Sequence, residues 1–227
     1  RLISLLDLDA MSQNVDIAES VTNILKSRFE ERSTDIITEL YLKSSQELKK
    51  ALIIQDWSVI EDTLPPAKFR DIDWKRLARL GPKPIWVLET YKGNIEIQVD
   101  VLTAPATISG MDSLIRSGAY NNVAFHHVVS NFVIQGGDVE TGLGNGGPGY
   151  TVPTEASAAH FDRGIAGIAS SGIDTEGSQY FVMHSWSPHL NGRYTVFGEV
   201  ISGMSVVDRI TVGDVVSDSF WKLIRNK

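Results

Sequence analysis

The chain has 227 residues, 42% hydrophobic and 22% charged, with a net charge of −7 and no cysteine. That length and composition suit one large globular domain, or one domain with a smaller segment, and no apolar run approaches the ~20 residues of a membrane span. The missing cysteine excludes disulfides, thiol catalysis and thiolate metal sites, and the scattered Lys and Arg, without a basic stripe, argue against nucleic acid and anionic membrane as partners.

The sequence opens at Arg1 without a recognisable signal peptide and reads as a fragment or a processed product. Cytoplasm and bacterial periplasm therefore both stay open as compartments. Ile17, Val21, Leu25 and Phe29 fall at helical spacing, with Asn14 or Asp16 as a cap. A second helical stretch begins at Ser33-Thr34 and carries Ile37, Leu40, Tyr41, Leu48 and Leu52. A third, over about 56–64, is stopped by Pro65-Pro66. A fourth, over 71–80, ends at Gly81-Pro82. The chain divides there, into a helical segment 1–81 and a remainder 82–227.

From Pro84 onward the period changes to two. Trp86, Leu88 and Thr90, then Ile95, Ile97 and Val99, alternate about Lys92-Gly93-Asn94 and predict a hairpin. A short helix that ends at Gly118 is expected to include 112–116, and a second is expected over 204–210. Strands are expected at 124–129, 132–135, 164–168, 179–183, 195–200 and 220–224. Many short strands with two helices make the fold mainly β, a closed barrel or a sandwich.

Several chemical readings fail on spacing. Gly142, Gly144 and Gly147 formally satisfy G-x-G-x-x-G, but Pro148-Gly149 follows, where a dinucleotide site needs a helix to open. The loop is read as a flexible or tightly turned connection. His126 and His127, adjacent on an expected strand, point to opposite faces and do not share a metal. His160 and His184 are read as structural. No metal and no cofactor is expected. The 167–172 stretch lacks the G-x-S-x-G spacing of a serine hydrolase.

Three blocks remain: Phe125-His126-His127-Val128-Val129-Ser130-Asn131-Phe132-Val133-Ile134-Gln135-Gly136-Gly137-Asp138, Gly177-Ser178-Gln179-Tyr180-Phe181, and Leu190-Asn191-Gly192-Arg193-Tyr194-Thr195-Val196-Phe197-Gly198. In order and spacing they resemble the cyclophilin signature, over about 145 residues from Pro82 onward. The resemblance implies an eight-stranded antiparallel barrel capped by two helices. It also implies a peptidyl-prolyl cis-trans isomerase whose partners are proline-containing polypeptides.

The chemistry needs no covalent step. Rotation about an Xaa–Pro bond faces a barrier of ~18–20 kcal/mol from amide resonance. A catalyst holds the proline ring in an apolar pocket, grips the flanking backbone and favours the twisted amide. By resemblance Phe132, Val133, Phe181 and Leu190 supply apolar wall. Gln135 and Gln179 bond the peptide backbone, Ala169 and Ser170 lie on the strand edge that pairs with it, and His189 and Tyr194 border the pocket. An amide inside an apolar block also fits a core poorly, since a buried amide needs partners. One position departs from the pattern. His127 stands where the family has an arginine, and an imidazole lacks the fixed charge and fork of a guanidinium. Two readings follow: an isomerase with reduced activity, its catalytic residues His127, Phe132 and Gln135, or a non-catalytic proline-peptide binding module. His189 replaces a tryptophan common in eukaryotic relatives and argues against tight cyclosporin binding. The helical segment resembles the HEAT-type regions that precede some bacterial cyclophilins, which implies a spacer or a docking element for a protein partner.

Overall fold

The computed structural model describes residues 69–222, and the expectations for the first three helical stretches lie outside them. The described residues open on a short extended run. Arg70 donates its amide to the Thr151 carbonyl at 3.1 Å, and its guanidinium lies 5.0 Å from the centre of the Tyr150 ring. Helix α1 (Trp74–Leu80) starts where Asp73 accepts from the Arg76 amide, and it ends at Gly81, whose φ of 85° is left-handed. Its Leu77 joins the main core, and the Asp73 amide donates to the Ser109 hydroxyl. The last helix of the expected helical segment therefore packs on the domain that follows it. Among the described residues no helix is long and apolar enough to cross a membrane.

The predicted hairpin is present as β1 (Ile85–Thr90) and β2 (Gly93–Val99), closed by Tyr91-Lys92 between the paired Thr90 and Gly93. The turn is tied to a distant loop. Lys92 Nζ donates to the Arg209 carbonyl, the Thr211 hydroxyl and Asp214, and the Tyr91 hydroxyl also donates to Asp214. Desolvation works against the Asp214 charge, but these donors, Lys92 first, hold its pKa down at about 2. A carboxyl depressed on folding adds stability above its unfolded value of ~3.9, and that increment is lost as pH falls toward the folded value. Asp214→Asn is therefore expected to lower the thermal midpoint at neutral pH. The gap to the wild type should close between pH ~4 and ~2. A pH series of melting curves checks this, and a gap that persists to acid pH would show that the ion pair is not its source.

Helix α2 (Pro105–Ser117) includes 112–116 and is longer than the short helix expected. Pro105 sits in its first turn, Glu155 accepts from the Ala106 and Thr107 amides, and left-handed Gly118 closes it. Its buried face carries Thr107, Ser109 and Gly110 as well as Ile108 and Met111, which hides the apolar period. The expected strand 124–129 is two strands, β3 (Val123–Ala124) and β4 (His127–Val129). Between them fully buried Phe125 exchanges backbone bonds with Asp214 and Gly213, turning the chain from one sheet to the other.

Next come β5 (Val133–Gly136), β6 (Ile165–Ile168), β7 (Tyr180–Met183) and β8 (Val196–Ser202). Helix α3 (Met204–Val207) is one turn rather than the 204–210 expected, because the chain tightens into i→i+3 turns over 206–210. Two strands, β9 (Val215–Val216) and β10 (Asp218–Lys222), complete the fold. Eight strands form one antiparallel sheet in the order β10-β1-β2-β8-β6-β7-β5-β4, and β3 pairs with β9 apart from it. Among the described residues no ladder joins β10 to β4, so the expected closed barrel is a curled half-barrel. The inner face surrounds Trp86, whose ring meets Tyr180 at 4.8 Å, Tyr120 at 5.3 Å and Phe197 at 6.4 Å.

Candidate functional site

Strand pairing sets the site. His127 on β4 lies opposite Gln135 on β5, Gln135 opposite Phe181 on β7, and Phe181 opposite Gly167 on β6. Residues directly opposite in antiparallel strands share a face, so His127, Gln135 and Phe181 project from one side of the sheet. Their sequence neighbours Ile134, Tyr180 and Val182 project from the other side, into the main core. All four residues of β7 are buried, so both faces of that strand are covered.

The outward face carries a second apolar cluster of Val133, Phe161, Phe181, Met183, Leu190 and Val196, with Phe132, Ala169 and Tyr194 packed against it. Phe181 stacks on Phe161 at 5.4 Å and meets Tyr194 edge-on at 5.8 Å. Gly167 makes room for these rings: a Cβ there would lie 2.6 Å from Phe181 and 2.8 Å from Phe161. At the edge of the cluster Phe132 stacks on exposed His189 at 5.8 Å, and His189 belongs to the 3₁₀ turn Pro188–Leu190.

The polar groups lie beside this cluster. Gln135 donates its amide nitrogen to the Gln179 side-chain oxygen at 3.0 Å. Gln179 in turn donates to the Gly144 and Gly146 carbonyls at 3.0 and 2.9 Å. The Ala169 amide donates to the Gln179 carbonyl at 2.8 Å, which anchors the segment that runs on through half-buried Ser170. Fully buried Glu176 ties the far end of that segment, accepting from the Thr154 and Thr195 hydroxyls while burial pushes its carboxyl above the ordinary range. His127 is half-buried on β4.

Phe132, Val133, Phe181, Leu190, Ala169 and Tyr194 thus fall in one cluster; Gln135 adjoins it by strand register, Gln179 by its bond to Gln135, and His189 by its ring. Ser170 adjoins it only through its neighbour in sequence. Phe161 was not singled out from sequence. It is an isolated aromatic in a long polar loop, and only its size set it apart. Among the described residues no group of three or more His, Asp or Glu side chains could hold a metal. His184 packs between two carbonyls, with Nδ1 3.3 Å from that of Val129 and Nε2 3.2 Å from that of Val207, a structural place.

The family model for cyclophilin-type peptidyl-prolyl cis-trans isomerases matches residues 85–224. The chain belongs to the cyclophilin family. Relatives of this cyclophilin include the Bacillus subtilis peptidyl-prolyl cis-trans isomerase B, 40% identical over 55% of the chain and 87% of that protein. The Helicobacter pylori peptidyl-prolyl cis-trans isomerase is 38% identical over 67% of the chain and 94% of that protein. Among solved structures, a cyclophilin-type isomerase of Cryptosporidium parvum matches with a TM-score of 0.59 and 29% identity, covering 63% of this chain and 99% of that one. The same protein crystallised in the presence of the dipeptide Ala-Pro matches with a TM-score of 0.58 and 28% identity, over 62% of this cyclophilin and 99% of that chain.

Proposed function

We propose that this cyclophilin is a peptidyl-prolyl cis-trans isomerase acting on Xaa–Pro bonds of polypeptides, with His127 limiting its rate. The reading rests on the row His127–Gln135–Phe181, which sets a polar edge beside an aromatic wall on the outward face. In this reading Phe132, Val133, Phe181 and Leu190 hold the proline ring, with His189 and Tyr194 at the border. Gln135 and Gln179 bond the peptide backbone, and Ala169 and Ser170 offer main-chain groups along its length. The ground-state amide nitrogen gives its lone pair to the carbonyl. Twisting the bond frees that pair, and a donor aimed at it stabilises the twisted state alone, which raises the rate rather than the affinity. His127 is the donor in this chain. No bond is made or broken, so no cofactor enters.

A second reading, a proline-peptide binding module with little catalysis, is favoured by the same histidine, because the residues read as the pocket wall match the family blocks and only the residue read as the donor departs from them. A protease-free isomerisation assay on a short Xaa–Pro peptide separates the two. Acceleration by the chain supports the isomerase; binding without acceleration retires it.

We also read residues 1–81 as a helical segment, HEAT-type in pattern, ahead of an isomerase domain over 82–227, and as a spacer or docking element for a protein partner. The helical spacing before Gly81 motivates this. A fragment starting at residue 69, which keeps α1 and its buried Leu77, should isomerise at the rate of the whole chain. A slower fragment would overturn the spacer role.

A further inference from the structure

We infer that Asp138 is a positioning residue for the isomerase reaction, holding the glycine loop so that two of its carbonyls fix the amide orientation of Gln179 and, through it, of Gln135. This rests on the function proposed above. The loop is the one whose glycines formally match a nucleotide motif. Asp138, 1% exposed, gathers it from within. One carboxylate oxygen accepts from the Glu140 amide at 3.1 Å and the Thr141 amide at 2.9 Å. The other accepts from the Thr141 hydroxyl at 2.6 Å, the Gly144 amide at 2.7 Å and the Gly146 amide at 3.0 Å. Burial opposes the charge, yet these donors hold the Asp138 pKa at about 2, so the clamp is ionised at neutral pH.

The glycines permit the wrap. A Cβ on Gly146 would lie 2.6 Å from the Asp138 carboxylate, and one on Gly144 would lie 2.6 Å from the His126 ring. Gly144 also has a φ of 96°, which a side chain rarely adopts. With the amides of both glycines drawn to Asp138, their carbonyls meet Gln179 Nε2.

Carbonyl oxygens only accept. The nitrogen end of the Gln179 amide must therefore face the loop, and its oxygen must face Gln135. Gln135 must then present nitrogen, as the 3.0 Å contact requires, and its own oxygen is directed elsewhere. A glutamine amide turned over exchanges donor for acceptor. Without the two loop carbonyls nothing in this chain of bonds selects one orientation, and a peptide backbone would meet a mixture of the two.

The test uses Asp138→Asn, the milder Thr141→Val, which removes one donor and keeps the carboxylate, and Asp214→Asn as a destabilised control outside the clamp. The readouts are kcat/KM and Kd for a short Xaa–Pro peptide, and the solvent exchange of the Gln135 and Gln179 side-chain amides by NMR. Asp138→Asn should lower kcat/KM about tenfold or more and speed exchange of the Gln179 amide. Thr141→Val should shift both in the same direction by less, and it carries the test if Asp138→Asn does not fold. Asp214→Asn should change the melting midpoint and neither readout. Unchanged Gln179 exchange in Asp138→Asn or, where that variant does not fold, in Thr141→Val overturns the inference. So does a loss of kcat/KM matched by the control. If the wild type binds peptide without isomerising it, the proposed function fails, and the inference is then judged on amide exchange and peptide Kd.

Discussion

His127→Arg is expected to raise kcat/KM on an Xaa–Pro peptide by about ten- to a hundredfold, with little change in peptide Kd. The magnitude follows from the interaction gained: a hydrogen bond from a charged donor contributes roughly 1.5–3 kcal/mol, and each ~1.4 kcal/mol off a barrier is tenfold in rate. The direction follows from its place. Residue 127 lies on β4 opposite Gln135, on the outward face that carries Phe181. A longer guanidinium there reaches further along the cluster and keeps its charge at every working pH. In the proposed site the wall is Phe132, Val133, Phe181 and Leu190, so ground-state binding should hardly move, and a gain confined to kcat marks an interaction made only in the twisted state. Equal rates for the two proteins at every pH would show that His127 is no handicap.

Trp86→Ala is expected to cost about 3–5 kcal/mol, enough to unfold a marginal domain. Trp86 is fully buried, packs on Tyr120, Tyr180 and Phe197, and donates its indole N–H to the Ser219 hydroxyl at 3.0 Å. Truncation leaves both a large cavity and a buried hydroxyl that has lost its donor. Trp86→Phe should fall between, refilling most of the volume without the N–H. Urea unfolding of the three proteins measures the series, and a Trp86→Ala loss below about 1 kcal/mol would show that the core does not close around this ring.

The hairpin was legible from sequence because Ile95 and Ile97 alternate with half-buried or exposed neighbours on β2, and Trp86 and Leu88 keep the same period on β1 although Val87 between them is also buried. Tyr180-Phe181-Val182-Met183 carries no alternation. It is buried on both faces, so the split between main core and outer cluster is set by its partners β5 and β6. Helix α2 was half missed because Thr107, Ser109 and Gly110 occupy buried positions. The strand expected over 124–129 broke at Phe125, which bonds to Asp214, 89 residues further on, a contact no local pattern announces. The site residues came from blocks matched to a family. Their mutual bonds did not: the link from Gln135 through Gln179 to the glycine loop spans 44 and then 35 residues. The glycine loop itself read as a bare turn, because its organising carboxylate looks like any other aspartate until the fold wraps five donors around it.

Strand β7 serves two masters, since Tyr180 and Val182 complete the packing around Trp86 while Phe181 and Met183 build the outer cluster. A substitution on this strand aimed at a different substrate is at the same time a substitution in the heart of the domain. The border at His189 has no such tie: Pro188 and His189 are exposed on their short turn, and His189 meets the outer cluster only through the Phe132 ring. Laboratory selection for new sequence preferences should therefore accumulate changes at 188 and 189 and leave 180–183 almost untouched.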